Sequence, residues 1–496
     1  MHLFLRKRLL LWLLILAIVL PTLVAASGGG SKQAIINPKQ LYSYERMTRD
    51  MKKLAEAYPE LIRYRSLGKS EYGRELWVME IGNGPVNVLL NASHHAREWM
   101  TTITVMNMAE TMAASAAKQG VWKQLNTADL FDHITFHIVP MVNPDGVTLQ
   151  QKGLVAFPQQ NHAELIKMNK NSRDFKRWKA NGKGIDLNRQ YPADWDTIRQ
   201  AEYAPSYKNY KGKKPLEAKE AQLMYNFTKQ IKPEIAISYH SSGEIIFWNF
   251  KTKASNLPRD RAFVQAYAAM TGYRAVAPEA NPSGGGFTDW FITEFGKPAL
   301  TPEIAPAVGE TNVPLSYWDR IWKQHKDTMW LIGTTAYEQA MLEEKAKKAS
   351  ATIELTTPAT SYRYPVLNRE TASSVKSGVY KVTREKGSWY EIQISGQGSR
   401  WIAKSVAKPW SKPVPTPIST PTSSPSPNPT PTASPIVTPP SPSMGAPIAS
   451  EPSSEPSAEQ GPTAPSATEI PIVEGVPAEN SGSSEIPTPI PAPSST

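Results

Sequence analysis

The sequence contains no cysteine in its 496 residues. This absence excludes disulfide bonds, thiolate metal ligands, cysteine nucleophiles and lipid attachment through an N-terminal cysteine. A folded domain of this chain must therefore be stable from core packing alone, and about 300 residues can bury enough apolar area for that. Histidine is also scarce, with eight in the chain, so histidines that fall at strand ends are informative.

Long apolar runs are scarce as well. One extends from Leu9 to about Leu20, which is shorter than the roughly 20 residues that a spanning helix needs. It follows Arg6-Lys7-Arg8 and precedes Val24-Ala25-Ala26, an arrangement typical of a secretory signal. We expect residues 1–26 to be a signal peptide and the protein to be secreted, with retention of this segment as a membrane anchor as the alternative.

The C-terminal region also has few apolar residues. From about Ser411 the chain is rich in Pro, Ser and Thr. Such a composition cannot build a core. We therefore predict a disordered tail over residues 411–496.

Between these ends, apolar runs alternate with helix-like stretches. Strand-like runs lie at 86–90, 134–142 and 235–239, and helix-like stretches lie at 100–118, 215–229 and 258–271. The alternation predicts an α/β fold with a mixed, mostly parallel sheet flanked by helices. We expect one compact domain over residues 38–345, with its functional side chains at the carboxyl ends of strands.

Three metal-ligating side chains coincide with two of these strand ends. The run His95-Ala96-Arg97-Glu98 follows the first strand, and His240 ends the third. A His and a Glu three residues apart, where a strand gives way to a helix, can turn toward one point, and catalytic zinc takes three protein ligands. A His-x-x-Glu run is common by chance. Its coincidence with His240 makes the three residues candidate ligands of one metal ion.

Together with further motifs, this arrangement resembles the zinc metallocarboxypeptidase family, typified by pancreatic carboxypeptidase A. The resemblance covers about Tyr42 to Gln339. It rests on Tyr42-Ser43-Tyr44-Glu45-Arg46-Met47, Gly73-Arg74-Glu75-Leu76-Trp77, Asn143-Pro144-Asp145-Gly146, Gly184-Ile185-Asp186-Leu187-Asn188-Arg189 and Thr301-Pro302-Glu303. It implies one Zn²⁺ per chain bound by His95, Glu98 and His240, where a bound water becomes a nucleophile near neutral pH.

The resemblance also assigns roles to further residues. Glu303 matches the general base, and its apolar neighbours favour a raised pKa. Asp186 matches the carboxylate that orients the first zinc histidine through its other ring nitrogen. Asn188 and Arg189 match the pair that binds the terminal carboxylate of the substrate, since a guanidinium offers two parallel hydrogen bonds. Arg97 matches another substrate contact.

Two positions depart from the family pattern. Where the family usually has the arginine that stabilises the oxyanion, this chain has Lys179, with Arg177 and Lys183 nearby as alternative donors. Lysine supplies the positive charge without the planar fork of arginine. The position of the tyrosine that caps the substrate is Ile292. We therefore expect Glu303 to return the proton to the leaving amine as well.

Other segments resemble the bacterial branch that hydrolyses γ-D-glutamyl-diaminopimelate bonds in peptidoglycan stem peptides. They include His240-Ser241-Ser242-Gly243-Glu244 and Gly284-Gly285-Gly286-Phe287. The far end of diaminopimelate is zwitterionic, so Glu244 either helps to recognise it or is a solvated loop charge. We expect a zinc peptidase of this specificity. The alternatives are a general metallocarboxypeptidase removing C-terminal amino acids and a non-enzymatic wall-binding protein on an inactive scaffold, while the preferred leaving residue stays open.

Short alternating runs with glycine between them follow this region, at 378–382, 388–394 and 399–402. They predict a small all-β barrel over residues 357–409. The pattern resembles the bacterial Src-homology-3-like modules of wall hydrolases. Such a module either binds cell wall or is a structural cap.

Negative charge is concentrated at the C-terminus. The chain has a net charge of +11, yet seven Glu and no Lys or Arg follow Lys412, and the predicted signal holds three basic residues, so the remaining chain carries +15. Such a surface favours polyanions. We expect anionic cell wall polymers as partners, with association to the wall. Nucleic acid is not an expected partner because its recognition motifs are missing from the sequence, and we expect a monomer.

Overall fold

The structure, a computed structural model, describes residues 34–123, 125–367 and 371–411. The predicted signal peptide, residues 1–26, lies outside the described residues, and so does the predicted tail, 411–496, except for its first residue. Within the described ranges, every helix is too short or too polar to cross a bilayer.

A central eight-stranded sheet forms the first half of the fold. Its strands are β1 Ile62–Lys69, β2 Glu75–Ile81, β3 Val86–Ala92, β6 Ile134–Val139, β7 Ile235–Tyr239, β8 Ile245–Phe247, β9 Arg274–Ala275 and β10 Ala299–Glu303, and a separate ribbon pairs β4 Val121–Trp122 with β5 Leu125–Asn126. The order is β1-β2-β6-β3-β7-β10-β8-β9. Strands β6, β3, β7 and β10 are parallel, β1 and β2 pair antiparallel with their neighbours, and β8 pairs antiparallel with β10 and parallel with β9. The predicted mixed, mostly parallel sheet is confirmed.

Ten helices accompany the described strands. They are α1 Tyr44–Ala57, α2 Met100–Ala117, α3 Thr127–Phe131, α4 Pro144–Lys152, α5 His162–Met168, α6 Lys219–Ile231, α7 Leu257–Thr271, α8 Phe287–Phe295, α9 Trp318–His325 and α10 Thr328–Glu343. Strands β6 and β7 are buried along their whole length, as parallel strands covered on both faces are. This burial explains why the central strands are continuous apolar runs rather than alternating ones.

The Asn143-Pro144-Asp145-Gly146 motif starts helix α4 and ties it to the centre of the fold. Asn143 caps the helix by accepting a 2.8 Å hydrogen bond from the Gly146 N–H, and Pro144 suits the first helical turn because its missing N–H would have no partner there. The Asn143 amide also donates to the carbonyls of His94 and Ala180. One capping residue therefore joins the residue before the predicted ligand His95 to the segment that contains Ala180.

A second sheet follows helix α10. Its strands are β11 Lys347–Lys348, β12 Thr352–Leu355, β13 Ala359–Tyr362, β14 Ala372–Val375, β15 Gly378–Lys386, β16 Trp389–Ile394, β17 Gly398–Ala403 and β18 Lys408–Pro409. The order is β14-β13-β17-β16-β15-β12-β18, with β11 beside β15, and all pairs are antiparallel. The region consists of antiparallel strands and a 3₁₀ segment at Lys404–Val406. Its closure into a barrel and the predicted domain limits stay predictions.

The second sheet packs into the core of the first half. Trp389 is fully buried, its ring centroid lies 3.9 Å from that of His133, and its indole N–H donates to the Tyr337 hydroxyl at 2.8 Å. His133 Nδ1 lies 2.7 Å from the Ser388 hydroxyl. The rings of Tyr362 and Trp389 are nearly perpendicular, with centroids 5.3 Å apart. Trp389, Tyr337 and Tyr362 belong to one apolar cluster that also includes the core of the first half.

Candidate active site

The carboxyl ends of three neighbouring parallel strands, β3, β7 and β10, meet at one edge of the central sheet. After β3 the chain turns through the 3₁₀ segment Ala96–Glu98, which places His95 Nδ1 2.9 Å from Glu98 Oε1. His240 follows β7, and its Nδ1 lies 3.1 Å from His95 Nδ1 and 3.0 Å from Glu98 Oε2. The three side chains are buried, and the structure brings the predicted ligands together as one candidate metal site.

The spacing of these atoms fits zinc. Zinc bonds of about 2.0–2.1 Å in a tetrahedral site separate the ligand atoms by about 3.3 Å, close to the three contacts given above. The outer nitrogen of His95, Nε2, lies 3.1 Å from Asp186 Oδ1, an arrangement that orients zinc ligands in proteins. Two histidines and one carboxylate would hold the ion and leave a fourth position for water or substrate.

Asp186 is fully buried and surrounded by positive or hydrogen-bonding groups. Besides His95, it lies 3.0 Å from Lys179 Nζ and 3.6 Å from Arg189 Nε, and it accepts from the Asn188 N–H. Burial alone would raise its pKa, but Lys179 and then His95 hold the pKa of Asp186 well below its usual value. Asp186 therefore stays charged, as its predicted role requires.

Among the three candidates for the oxyanion role, the structure places Lys179 at the cluster. Its charge acts on both Asp186 and Glu303. Arg177 instead donates to the Asn169 carbonyl and stacks over the Tyr207 ring at 4.1 Å. Lys183 lies over the ring of Tyr72. The oxyanion role of Lys179 stays a prediction, and the geometry favours it over the two neighbours.

Glu303 ends β10 beside the third ligand. The His240 N–H donates to the Pro302 carbonyl at 3.0 Å, and the Ile304 N–H donates to the His240 carbonyl at 2.8 Å. Protein surrounds Glu303 except where it faces a cavity, so the side chain is partly accessible. Burial, and next the negative Glu98, raise the pKa of Glu303 well above its usual value, against the opposing charges of Lys179 and Arg97. A raised pKa suits a group that takes up and returns a proton.

The predicted substrate-binding residues are placed differently from one another. Asn188 accepts from the Phe287 N–H at 2.9 Å and lines the same cavity as Glu303. Arg189 donates from Nη1 to the Arg199 carbonyl at 2.7 Å. Arg97 donates to the Arg177 carbonyl at 3.1 Å.

Glu244 does not line the cavity that Asn188 and Glu303 share. Both of its oxygens accept from Arg320, at 2.8 and 2.6 Å, and Gln324 donates to one of them at 3.0 Å. Its carboxylate is therefore already paired. The predicted role in substrate recognition stays a prediction, without support from this geometry.

The family model for zinc carboxypeptidases matches residues 47–404. The chain belongs to the zinc carboxypeptidase family. It is 32% identical over 294 residues to γ-D-glutamyl-L-diamino acid endopeptidase 1 of Lysinibacillus sphaericus, covering 58% of this chain and 72% of that relative. It is also 24% identical over 288 residues to carboxypeptidase B of Astacus astacus, covering 53% of this chain and 86% of that relative.

A solved structure, that of thrombin activatable fibrinolysis inhibitor, aligns with a TM-score of 0.49 and 19% sequence identity over 61% of this chain and 75% of that one. The family match identifies the chain as a zinc metallopeptidase. The family, the enzyme class and the zinc cofactor predicted from the sequence are confirmed.

In this zinc carboxypeptidase, a triple-glycine run shapes the wall of the cavity. The Gly285 N–H donates to the Ala193 carbonyl at 2.7 Å, and a Cβ on Gly284 would lie 2.1 Å from that carbonyl oxygen. Gly285 has φ +87°, and a Cβ there would lie 2.3 Å from Ile198. Because a Cβ at either position would clash, the glycine run lets its loop lie directly against the loop that contains Ala193 and Ile198.

The sequence interpretation missed part of the cavity. Its volume is about 290 Å³, and its lining includes Arg199, Glu279, Thr288 and Thr301 besides Asn188 and Glu303. The glycine run signals the close approach of loops, but nothing near Arg199 or Glu279 marks these loop residues in the sequence. Ile292, at the position of the missing tyrosine, is buried in helix α8.

Proposed function

We propose that this zinc peptidase hydrolyses the amide bond between γ-D-glutamate and diaminopimelate in peptidoglycan stem peptides. The observation that carries the proposal is the 32% identity to a relative named γ-D-glutamyl-L-diamino acid endopeptidase. The cavity supports it because Glu303 and Asn188 line the same space. A leaving residue in this cavity would lie beside both the predicted base and a predicted carboxylate-binding group.

The reaction divides among the residues of the chain. His95, Glu98 and His240 would hold the zinc ion, whose chemistry would be to polarise the scissile carbonyl and lower the pKa of the attacking water. Glu303 takes the proton from that water and passes it to the leaving nitrogen. Lys179 provides positive charge for the oxygen that becomes negative, and Asp186 holds His95 in one orientation and one tautomer.

Substrate binding uses the groups beside the cavity. The Asn188 amide oxygen is held by the Phe287 N–H, so its NH₂ group can donate to the α-carboxylate of the leaving residue. Arg189 has further N–H donors besides the one bonded to Arg199. The charge of Arg97 acts on Glu303, and we assign this cation to the acyl side of the scissile bond.

We further propose that the protein acts outside the cell and on the cell wall. The support is the sequence of residues 1–26 and the charge of +15 on the chain between that segment and the acidic tail, which favours anionic wall polymers. A role of the second sheet in wall binding is part of the same proposal.

The catalytic part of the proposal is tested with Glu303→Gln. Removal of a general base costs about 10² to 10⁴ in rate, so hydrolysis should fall in that range while the zinc content stays at one per chain. Metal analysis of the purified variant separates loss of the base from loss of the ion. Near-normal hydrolysis with zinc retained would exclude Glu303 as the base.

The substrate is tested by incubating the full chain, loaded with zinc, with L-alanyl-γ-D-glutamyl-diaminopimelate and with ordinary peptides of equal length. Mass spectrometry of the products should show diaminopimelate released from the first. Cleavage confined to ordinary peptides would favour the second candidate, a general carboxypeptidase, which the similarity to carboxypeptidase B of Astacus astacus supports.

A further inference from the structure

The cavity beside Glu303 has a buried floor and an exposed rim. Thr288 and Thr301 are 8% and 6% exposed, and their hydroxyl oxygens lie 2.8 Å apart. The side chains of Arg199 and Glu279 also line the cavity but are 61% and 63% exposed. Polar groups are thus arranged in two layers, with hydroxyls inside and charges at the opening.

Two carboxylates line the cavity below its rim, and both have other roles: Glu303 is the predicted base, and Asp289 caps helix α8. Asp289, which also lines the cavity, accepts from the Gly286 N–H at 3.0 Å as part of the cap of helix α8. The Thr288 and Thr301 hydroxyls bond to each other. The rim is therefore the part of the cavity where a charged side chain finds an opposite charge without another role.

The rim provides one charge of each sign. Arg199 Nη2 lies 3.6 Å from Glu279 Oε2. Exposed ion pairs of this kind contribute little to stability, so a ligand that carries both charges can replace the contact at small cost. A guanidinium binds a carboxylate through two parallel hydrogen bonds, and a carboxylate accepts from an ammonium group.

The backbone of Arg199 is fixed relative to the predicted carboxylate-binding residue. The Arg199 carbonyl accepts from Arg189, its N–H donates to the Ser283 hydroxyl at 3.2 Å, and its guanidinium donates to the Asn281 carbonyl at 3.1 Å. Two loops are thereby joined at the rim. These bonds hold Arg199 at a set distance from Arg189, which is predicted to bind the α-carboxylate.

We propose that Arg199 and Glu279 are specificity residues that bind the zwitterionic far end of a diamino dicarboxylic leaving residue. Arg199 binds its far carboxylate and Glu279 its far ammonium group, while Asn188 and Arg189 bind the near carboxylate. The inference rests on the proposed function for the identity of the leaving residue. In this proposal Arg199 and Glu279 take the role in recognition that the sequence suggested for Glu244, because Glu244 is paired with Arg320.

The first test uses three peptides, L-alanyl-γ-D-glutamate joined to meso-diaminopimelate, to L-lysine, which lacks the far carboxylate, or to L-2-aminopimelate, which lacks the far ammonium. Arg199→Gln should lower kcat/KM about tenfold or more for diaminopimelate and aminopimelate and leave lysine unchanged. Glu279→Gln should lower it for diaminopimelate and lysine and leave aminopimelate unchanged. An equal loss on all three peptides would make the pair a loop contact only and overturn the proposal.

The second test does not depend on hydrolysis. Calorimetry of the zinc-loaded full chain should show free meso-diaminopimelate binding at least about tenfold more tightly than L-lysine or L-2-aminopimelate. If no γ-linked peptide is cleaved but this preference is found, the proposed function fails and the rim assignment stands. Equal affinity for the three amino acids would overturn the rim assignment.

The matched control is Glu294→Gln. It breaks the exposed ion pair with Lys229, and neither residue lines the cavity. The control should leave the three kcat/KM values and the three affinities unchanged. Thermal unfolding of all variants checks that each is folded.

Discussion

Two regions of this zinc carboxypeptidase bury histidine side chains in different surroundings. At the catalytic edge, which is the edge of the central sheet where β3, β7 and β10 end, His95 and His240 direct Nδ1 toward each other and toward Glu98. The separations are about 3 Å. At the junction with the second sheet, His133 lies against the rings of Trp389 and Tyr337, and its Nδ1 meets a single hydroxyl.

The difference shows that burial alone does not make a histidine a metal ligand. Burial lowers the pKa of His240 and lowers that of His133 to about 3. At the catalytic edge, however, anionic oxygens stand within hydrogen-bond distance of both ligand imidazoles. Polar groups packed this closely in a core are costly unless a cation binds them. His133, in contrast, only completes an aromatic cluster.

The largest expected effect comes from removing a histidine of the candidate metal site, and the matched variant removes the buried histidine at the junction with the second sheet. His240→Ala should lose zinc and lower hydrolysis by more than about 1000-fold, because two ligands cannot hold the ion in its catalytic geometry. His133→Ala should keep one zinc per chain. Metal analysis after dialysis, with peptide hydrolysis, measures both, and full zinc content in His240→Ala would contradict the assignment.

The next effect concerns the junction. Trp389→Ala removes a fully buried ring from the shared core, so the free energy of unfolding should fall by about 3–5 kcal/mol. Zinc content should not change. Val379→Ala, on strand β15 of the same sheet and 49% exposed, is the control and should change stability by less than about 0.5 kcal/mol. Urea unfolding measures both, and equal small effects would mean that the second sheet is only loosely attached.

The central fold and the zinc ligands were predictable because each has a local signal. Buried parallel strands are continuous apolar runs, and β3, β7 and their following ligands coincide with the runs at 86–90 and 235–239. Strand β6 ends at Val139 rather than at 142, because apolar residues continue past the strand into a buried loop. The sequence marked each element but not the exact residue at which its pairing stops.

The rest of the site depends on contacts between distant segments. Arg199 and Glu279 are 80 positions apart in the chain, and each stands in a loop without periodicity. The contact between Trp389 and His133 likewise joins two distant segments, and the apolar pattern of neither segment indicates it. The pairing of Glu244 with Arg320 could not be foreseen either, because helix α9 contributes the arginine.

A moderate effect is expected from the carboxylate behind the first ligand. Asp186→Asn keeps the shape of the side chain but removes the charge that faces His95 and Lys179. Such changes reduce metal affinity by about 10- to 100-fold. Competition with a chelator of known affinity measures the change. Asp319→Asn, which alters an exposed ion pair with Lys39, is the control, and equal zinc affinity in the two variants would exclude a role for Asp186 in holding His95.

The smallest effect is a pH dependence of stability at the junction. The pKa of His133 is lowered to about 3 by burial, whereas an unfolded histidine has a pKa of about 6.5. Between these values the unfolded chain binds a proton that the folded chain does not, so stability is lost as the pH falls below about 6.5, by up to about 1.4 kcal/mol per pH unit. His133→Gln keeps a partner for Ser388 and should lose stability less steeply between pH 7 and 5. Since the pKa of His325 is also lowered to about 3 by burial, part of the slope should remain in this variant, and parallel slopes in the two proteins would mean that His133 is protonated in the folded state.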